Sequence, residues 1–214
     1  MICSFNEIEA MARKAARGGG LSWGLAEEAG KAVRRLAEAG LPGPQLLADL
    51  LRRNDGRQYS DLMPMEVDGV LTAKAGRLCP IIAGAYICDC ADALQGGNEI
   101  RLGETASPAL LLPFIAAAAR RTGITAKVVW PGAQVWAGGG QLLAEGANET
   151  LLAAETAAVS IVRGGPVTGR NISLGEGRDV SDDTWRALEE FAYRTYAPAT
   201  EASRAGAGAG SERD

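Results

Sequence analysis

The sequence predicts an α+β fold: an N-terminal helical hairpin or bundle packed with a small, mostly antiparallel sheet, one central apolar helix and a C-terminal helix. Three observations carry this expectation. Apolar residues recur at spacings of three and four through residues 1–53. Residues 126–143 break into short runs, Ala126–Trp130, Gln134–Trp136 and Gln141–Leu143, divided by Pro131-Gly132 and Gly138-Gly139-Gly140, as successive antiparallel strands are. Between these regions, Ala109–Arg121 is apolar over nearly its whole helical surface, as a buried central helix must be.

In chain order, Ile8, Met11, Ala12, Ala15 and Ala16 form one helical face, with Ser4 or Asn6 as cap and Gly18-Gly19-Gly20 as terminator. Ser22 caps a second helix through Leu25, Ala29, Val33 and Leu36, whose small residues Ala26, Ala29, Gly30 and Ala32 permit close approach to the first. A third helix runs from Pro44 to Arg53. Residues 54–77 lack a regular period and read as a long connection with one short strand, either a lid or a plain surface excursion. Pro80 at a first helical position opens a helix from Ile81 to Leu94. Glu99-Ile100-Arg101-Leu102 alternates as a short strand, and Ser107-Pro108 should cap and start the central helix. Ala157–Val162 and Ile172–Leu174 are further strand candidates. Ser181 caps the last helix, whose Trp185, Leu188 and Ala192 form a docking stripe. The predicted organisation is a helical segment 1–53, an α+β body 54–198 folded as one unit with it, and a polar, glycine-rich tail 199–214.

Composition limits the chemistry. The 214-residue chain is 47% apolar, enough for a sizeable core. Its net charge of −4 comes without a basic run, and aromatic residues make up only 5%, so neither a phosphate backbone nor a stacked single strand is an expected partner. No apolar run approaches the roughly 20 residues of a membrane span, and the first residues do not read as a signal peptide, so a soluble, cytoplasmic protein is expected. Cys3, Cys79, Cys88 and Cys90 are expected as free thiols. The chain contains no histidine, which removes Ser-His-Asp and Cys-His nucleophile pairs and histidine-ligated metals. Cys88-Asp89-Cys90 has the wrong helical spacing for a zinc pair and is read as packing, with no metal site assigned.

The remaining site candidates are few. Cys79 lies at a predicted helix N-terminus, where the dipole favours a thiolate. Glu104, with Ser107, sits on a strand-to-helix turn. In the tail, Arg204 can bind a carboxylate, Glu201 can move a proton, and Ser203 with Gly206, Gly208 and Gly210 can bring polar groups and backbone amides close to a ligand. The glycine-alanine run 206–210 does not sit between a strand and a helix, so it is no dinucleotide fingerprint, and no cofactor is assigned.

The motifs Phe5-Asn6-Glu7-Ile8-Glu9, Trp23–Gly30, Leu78-Cys79-Pro80-Ile81, Ser107-Pro108 with Leu110–Pro113, and Thr195-Tyr196-Ala197-Pro198 with the tail together resemble a bacterial family catalogued as domain of unknown function 3726. The resemblance extends along essentially the whole chain, although Ser211–Asp214 lacks that family's asparagine-bearing acidic finish. It implies a cytoplasmic bacterial setting and no mechanism. Two functions follow as expectations. One is an enzyme on a small carboxylate or amino-acid-like metabolite, using arginine, glutamate and backbone amides. The other is a non-catalytic accessory or oligomeric scaffold whose tail orders on a partner subunit, either as a homo-oligomer or with a second protein.

Overall fold

The structure is a computed structural model, and it describes residues 1–196. Three helices open the chain: α1 (Phe5–Gly18), α2 (Trp23–Glu38) and α3 (Gly43–Asn54). Ser4 caps α1 in a capping box, its Oγ accepting from the Glu7 amide while Glu7 Oε2 accepts from the Ser4 amide at 2.7 Å. Ser22 caps α2 in the expected way. The small residues do bring the first two helices together: a Cβ at Gly30 would lie 2.9 Å from the Glu9 carbonyl oxygen.

The predicted long connection is instead ordered structure. Helix α4 (Tyr59–Leu62) leads into a hairpin of β1 (Pro64–Val67) and β2 (Val70–Ala73). Asp68 and Gly69 form its turn, both with positive φ (51° and 72°), the conformation a two-residue hairpin loop needs. The lid expectation therefore gives way to a pair of strands at a sheet edge.

Pro80 begins α5 (Pro80–Asp89) as predicted, but the helix stops at Cys90 and α6 (Ala91–Gln95) follows. Next come β3 (Ile100–Leu102) and β4 (Thr105–Ala106). The central apolar segment is also divided, into a 3₁₀ turn over Pro108–Leu111 and α7 (Leu112–Thr122). Ser107 does not cap it. Its backbone is left-handed (φ 38°), its side chain makes no capping bond, and its amide donates to the Ala154 carbonyl. The local pattern favours a cap, but the tie between this turn and a distant loop sets the backbone.

Strands β5 (Ala126–Trp130), β6 (Ala133–Gly138) and β7 (Gln141–Gly146) form the expected meander. They are followed by α8 (Asn148–Leu151), β8 (Glu155–Thr156), β9 (Val159–Arg163), β10 (Arg170–Asn171) and α9 (Asp182–Tyr193). The last strand precedes Ile172–Leu174, where a strand was expected, and Ser181 caps α9. The main sheet has eight strands in the order β1-β2-β3-β9-β5-β6-β7-β10, larger than predicted, and only the β2–β3 pair in it is parallel. A separate pair joins β4 to β8.

One face of the main sheet carries the core. Ile161, Val128, Val135 and Ala144 are registered neighbours across β9, β5, β6 and β7 and are fully buried. They belong to an apolar cluster that continues through Leu36, Leu47, Ile81, Leu110 and Ile115 to Phe191. The core thus joins the N-terminal helices to the sheet. Among the described residues no helix is long and apolar enough to cross a membrane.

Candidate active site

Side chains alternate across a strand, so the residues between the core positions point to the opposite, open face. Register aligns them in a row: Val70 beside Arg101, Arg101 beside Ser160, Ser160 beside Val129, Val129 beside Gln134, and Gln134 beside Glu145. This row crosses β2, β3, β9, β5, β6 and β7. It lines a cleft of about 840 Å³ that continues towards the β5–β6 turn at Pro131 and Gly132, within the range of small-molecule sites.

The chemistry of the cleft is concentrated on β3 and β9. Glu99 and Arg101 are two residues apart and share a face, and both line the cleft with Ser160. The Ser160 hydroxyl donates to Glu99 Oε1 at 2.5 Å, a charge-assisted bond. Arg101 has no carboxylate in ion-pair range among the described residues, and a Cβ added at Gly69 would lie 3.0 Å from its Nη2. A glycine at the β1–β2 turn therefore also makes room for the guanidinium. The far end of the row is acidic: Glu145 accepts from the Thr168 hydroxyl at 3.1 Å. Trp130 fixes the turn that closes the cleft, its indole N–H donating to the Thr150 carbonyl at 2.8 Å.

The residues singled out in the sequence lie elsewhere. Cys79 does cap the N-terminus of α5, but it is buried. Desolvation pushes its thiol above the ordinary value, outweighing the Ile82 and Ile81 amides that favour the thiolate. It borders a small void of about 20 Å³ beside Asn54 and Leu62. That environment stores a thiol and does not activate one. Glu104 pairs with Arg77 at 3.2 Å, and Arg77 also reaches Glu155 at 3.0 Å, which Arg53 meets at 3.2 Å. These four charges tie α3 and the β4–β8 pair together, and Glu104 does not line the cleft. Cys88 donates its thiol hydrogen to the Phe114 carbonyl at 3.3 Å, a packing contact. Glu201, Ser203, Arg204, Gly206, Gly208 and Gly210 lie outside the described residues. The structure brings together Glu99, Arg101 and Ser160, which the sequence did not single out. The one visible signal for Glu99 and Arg101 was the polar-apolar alternation of residues 99–102, and Ser160 was marked only as part of the strand candidate Ala157–Val162.

Comparison with known proteins adds a family match over part of the chain and a similar fold. Residues 3–79 match the family described as "Protein of unknown function (DUF3726)", which bears out the resemblance over that stretch. No curated protein matches the sequence. Among solved structures, the chain is similar to "a putative malate/lactate dehydrogenase from E. coli", with a TM-score of 0.59 at 10% identity, covering 96% of this chain and 98% of that one. A malate dehydrogenase from Entamoeba histolytica is similar over 67% of this chain and 45% of its own, at 10% identity and a TM-score of 0.44. At such identity the first likeness shows the fold alone.

Proposed function

We propose that the protein is an enzyme acting on a small carboxylate or amino-acid-like metabolite bound in the cleft on the open sheet face. The observation that carries this reading is a single guanidinium, Arg101, placed without a carboxylate partner among the described residues in a mainly apolar cleft. Arginine pairs with a carboxylate through two parallel hydrogen bonds and fixes its plane. Val70 and Val129 would take the apolar body of the ligand. Glu99 is the base: its carboxylate already accepts a hydrogen bond from the Ser160 hydroxyl and lies on the same face as Arg101, so a bound acid would meet both groups. The protein from E. coli whose fold is similar is named for malate and lactate, both small carboxylates, which supports the class without specifying the reaction.

The test is a thermal-unfolding screen across small carboxylates of increasing apolar size, since a ligand that binds only the folded state raises its midpoint by mass action. The reading predicts a rise for at least one member, lost in Arg101→Ala. If no carboxylate shifts the midpoint, or if Arg101→Ala shifts as the parent does, the reading is wrong.

A second reading, an oligomeric scaffold, is favoured by one feature. Strand β1 is a sheet edge, and Met63, Met65 and Val67 around it are 42%, 51% and 49% exposed. An apolar edge invites strand pairing with another chain. Light scattering of the parent and of Met65→Lys separates the readings: a dimer in the parent that dissociates in the variant supports the scaffold, and a monomer in both opposes it.

A further inference from the structure

A second cleft, of about 830 Å³, lies at the opposite ends of the same strands. It is bounded by the last turns of α2 and α7, the β6–β7 hairpin and the segment after β10. Its lining contains Arg35 and Arg120, neither of which has an ion-pair partner among the described residues. The one carboxylate at the rim, Glu38, is already held by Arg34 Nε at 2.7 Å. Two uncompensated positive charges therefore face one cavity.

The hairpin supplies a second, independent feature. Gly139 and Gly140 both have positive φ (57° and 79°), the backbone of a two-residue hairpin loop. Neither amide donates to a backbone acceptor among the described residues. Unpaired successive amides are anion-binding groups. The Asn171 side chain also lines the cavity, with its Oδ1 occupied by the Ser173 amide and its amide hydrogens remaining as donors.

We infer that this cleft binds a dianionic oxyanion, a phosphate group or a dicarboxylate, between Arg35 and Arg120, with the Gly139 and Gly140 amides as neutral donors. Two arginines match two negative charges, whereas the sheet-face cleft offers one. The site is independent of Arg101, so either assignment can fail alone.

The test compares unfolding midpoints of the full chain in sodium phosphate, sodium malonate and sodium acetate, each against sodium chloride at equal ionic strength. The parent, Arg35→Ala, Arg120→Ala and the double variant are measured. Phosphate and malonate also stabilise proteins by exclusion from their surfaces, and the double variant supplies that baseline. The inference predicts that phosphate or malonate, but not acetate, raises the parent midpoint beyond the double-variant baseline. Each single substitution should weaken the apparent affinity about tenfold or more, and the excess should fall as chloride is added. The arm that responds more strongly identifies phosphate or dicarboxylate. Equal shifts in the parent and the double variant for both dianions would overturn the inference. Lys14→Ala, which removes an exposed cation that lines neither cleft, serves as a folded control that retains the full response.

Discussion

The two faces of the main sheet are made from the same strands, often from adjacent residues, yet they carry different kinds of information. Ser160 and Ile161 are neighbours in β9. Ile161 is fully buried in the helix-packed core, while Ser160 lies half-buried in the cleft and bonds Glu99. Val128 and Val129 divide in the same way. The core face is set by volume, and a cavity there has no water to fill it. The open face is set by which polar groups register brings together, and packing constrains it little. Stability should therefore follow one set of positions and ligand binding the other.

The largest effect expected is on the core face. Ile161→Ala should cost about 2–5 kcal/mol through lost transfer energy and a residual cavity, read as a lower denaturant midpoint at unchanged slope. If its cost falls below that of ordinary surface changes, the division of the faces is wrong. Next is Arg101→Ala. It should leave stability within about 0.5 kcal/mol and weaken carboxylate binding by about 1.5–3 kcal/mol, the worth of a hydrogen bond to a charged group. Ser160→Ala, beside it in the row, should have a smaller effect on binding, about 0.5–1.5 kcal/mol, again with little change in the unfolding midpoint. A destabilisation by Ser160→Ala comparable to that by Ile161→Ala would mean that the open face is also core.

The smallest effect lies outside both faces and calibrates them. Arg194 meets Asp55 through two hydrogen bonds, at 2.5 and 3.0 Å, and this pairing holds the Asp55 carboxyl below its ordinary value. A carboxyl depressed in the folded state binds fewer protons there than in the unfolded chain, so its contribution is complete above the unfolded pKa and is lost as pH falls through the folded one. Asp55→Asn should flatten that part of the acid limb of stability against pH and change little at neutrality, since both partners are exposed. A loss at neutral pH matching that of Ile161→Ala would contradict this.

How much was legible in the sequence follows the range of the interaction that decides each feature. The strand Ala126–Trp130 was readable because the turn signals that bound it are local, and the Ser4, Ser22 and Ser181 caps because capping spans three residues. The β1–β2 hairpin was missed although Asp68-Gly69 is a two-residue turn signal. Its flanking strands are only four residues each, and Met63-Pro64-Met65 masks the alternation. Ser107 was assigned as a cap from its neighbours, but its backbone answers to Ala154, far along the chain. The candidate site was the least legible part. Glu99, Arg101 and Ser160 meet only because β9 inserts between β3 and β5, and no local pattern encodes that order.

The most direct test of the account is a calorimetric titration of 4-methylpentanoate, an apolar-bodied carboxylate, into the parent, Arg101→Ala and the Arg35→Ala/Arg120→Ala double variant. The account predicts saturable binding to the parent and to the double variant, weakened about tenfold or more in Arg101→Ala. Binding that survives Arg101→Ala unchanged, or that disappears only in the double variant, would contradict the assignment of the open sheet face as the carboxylate site.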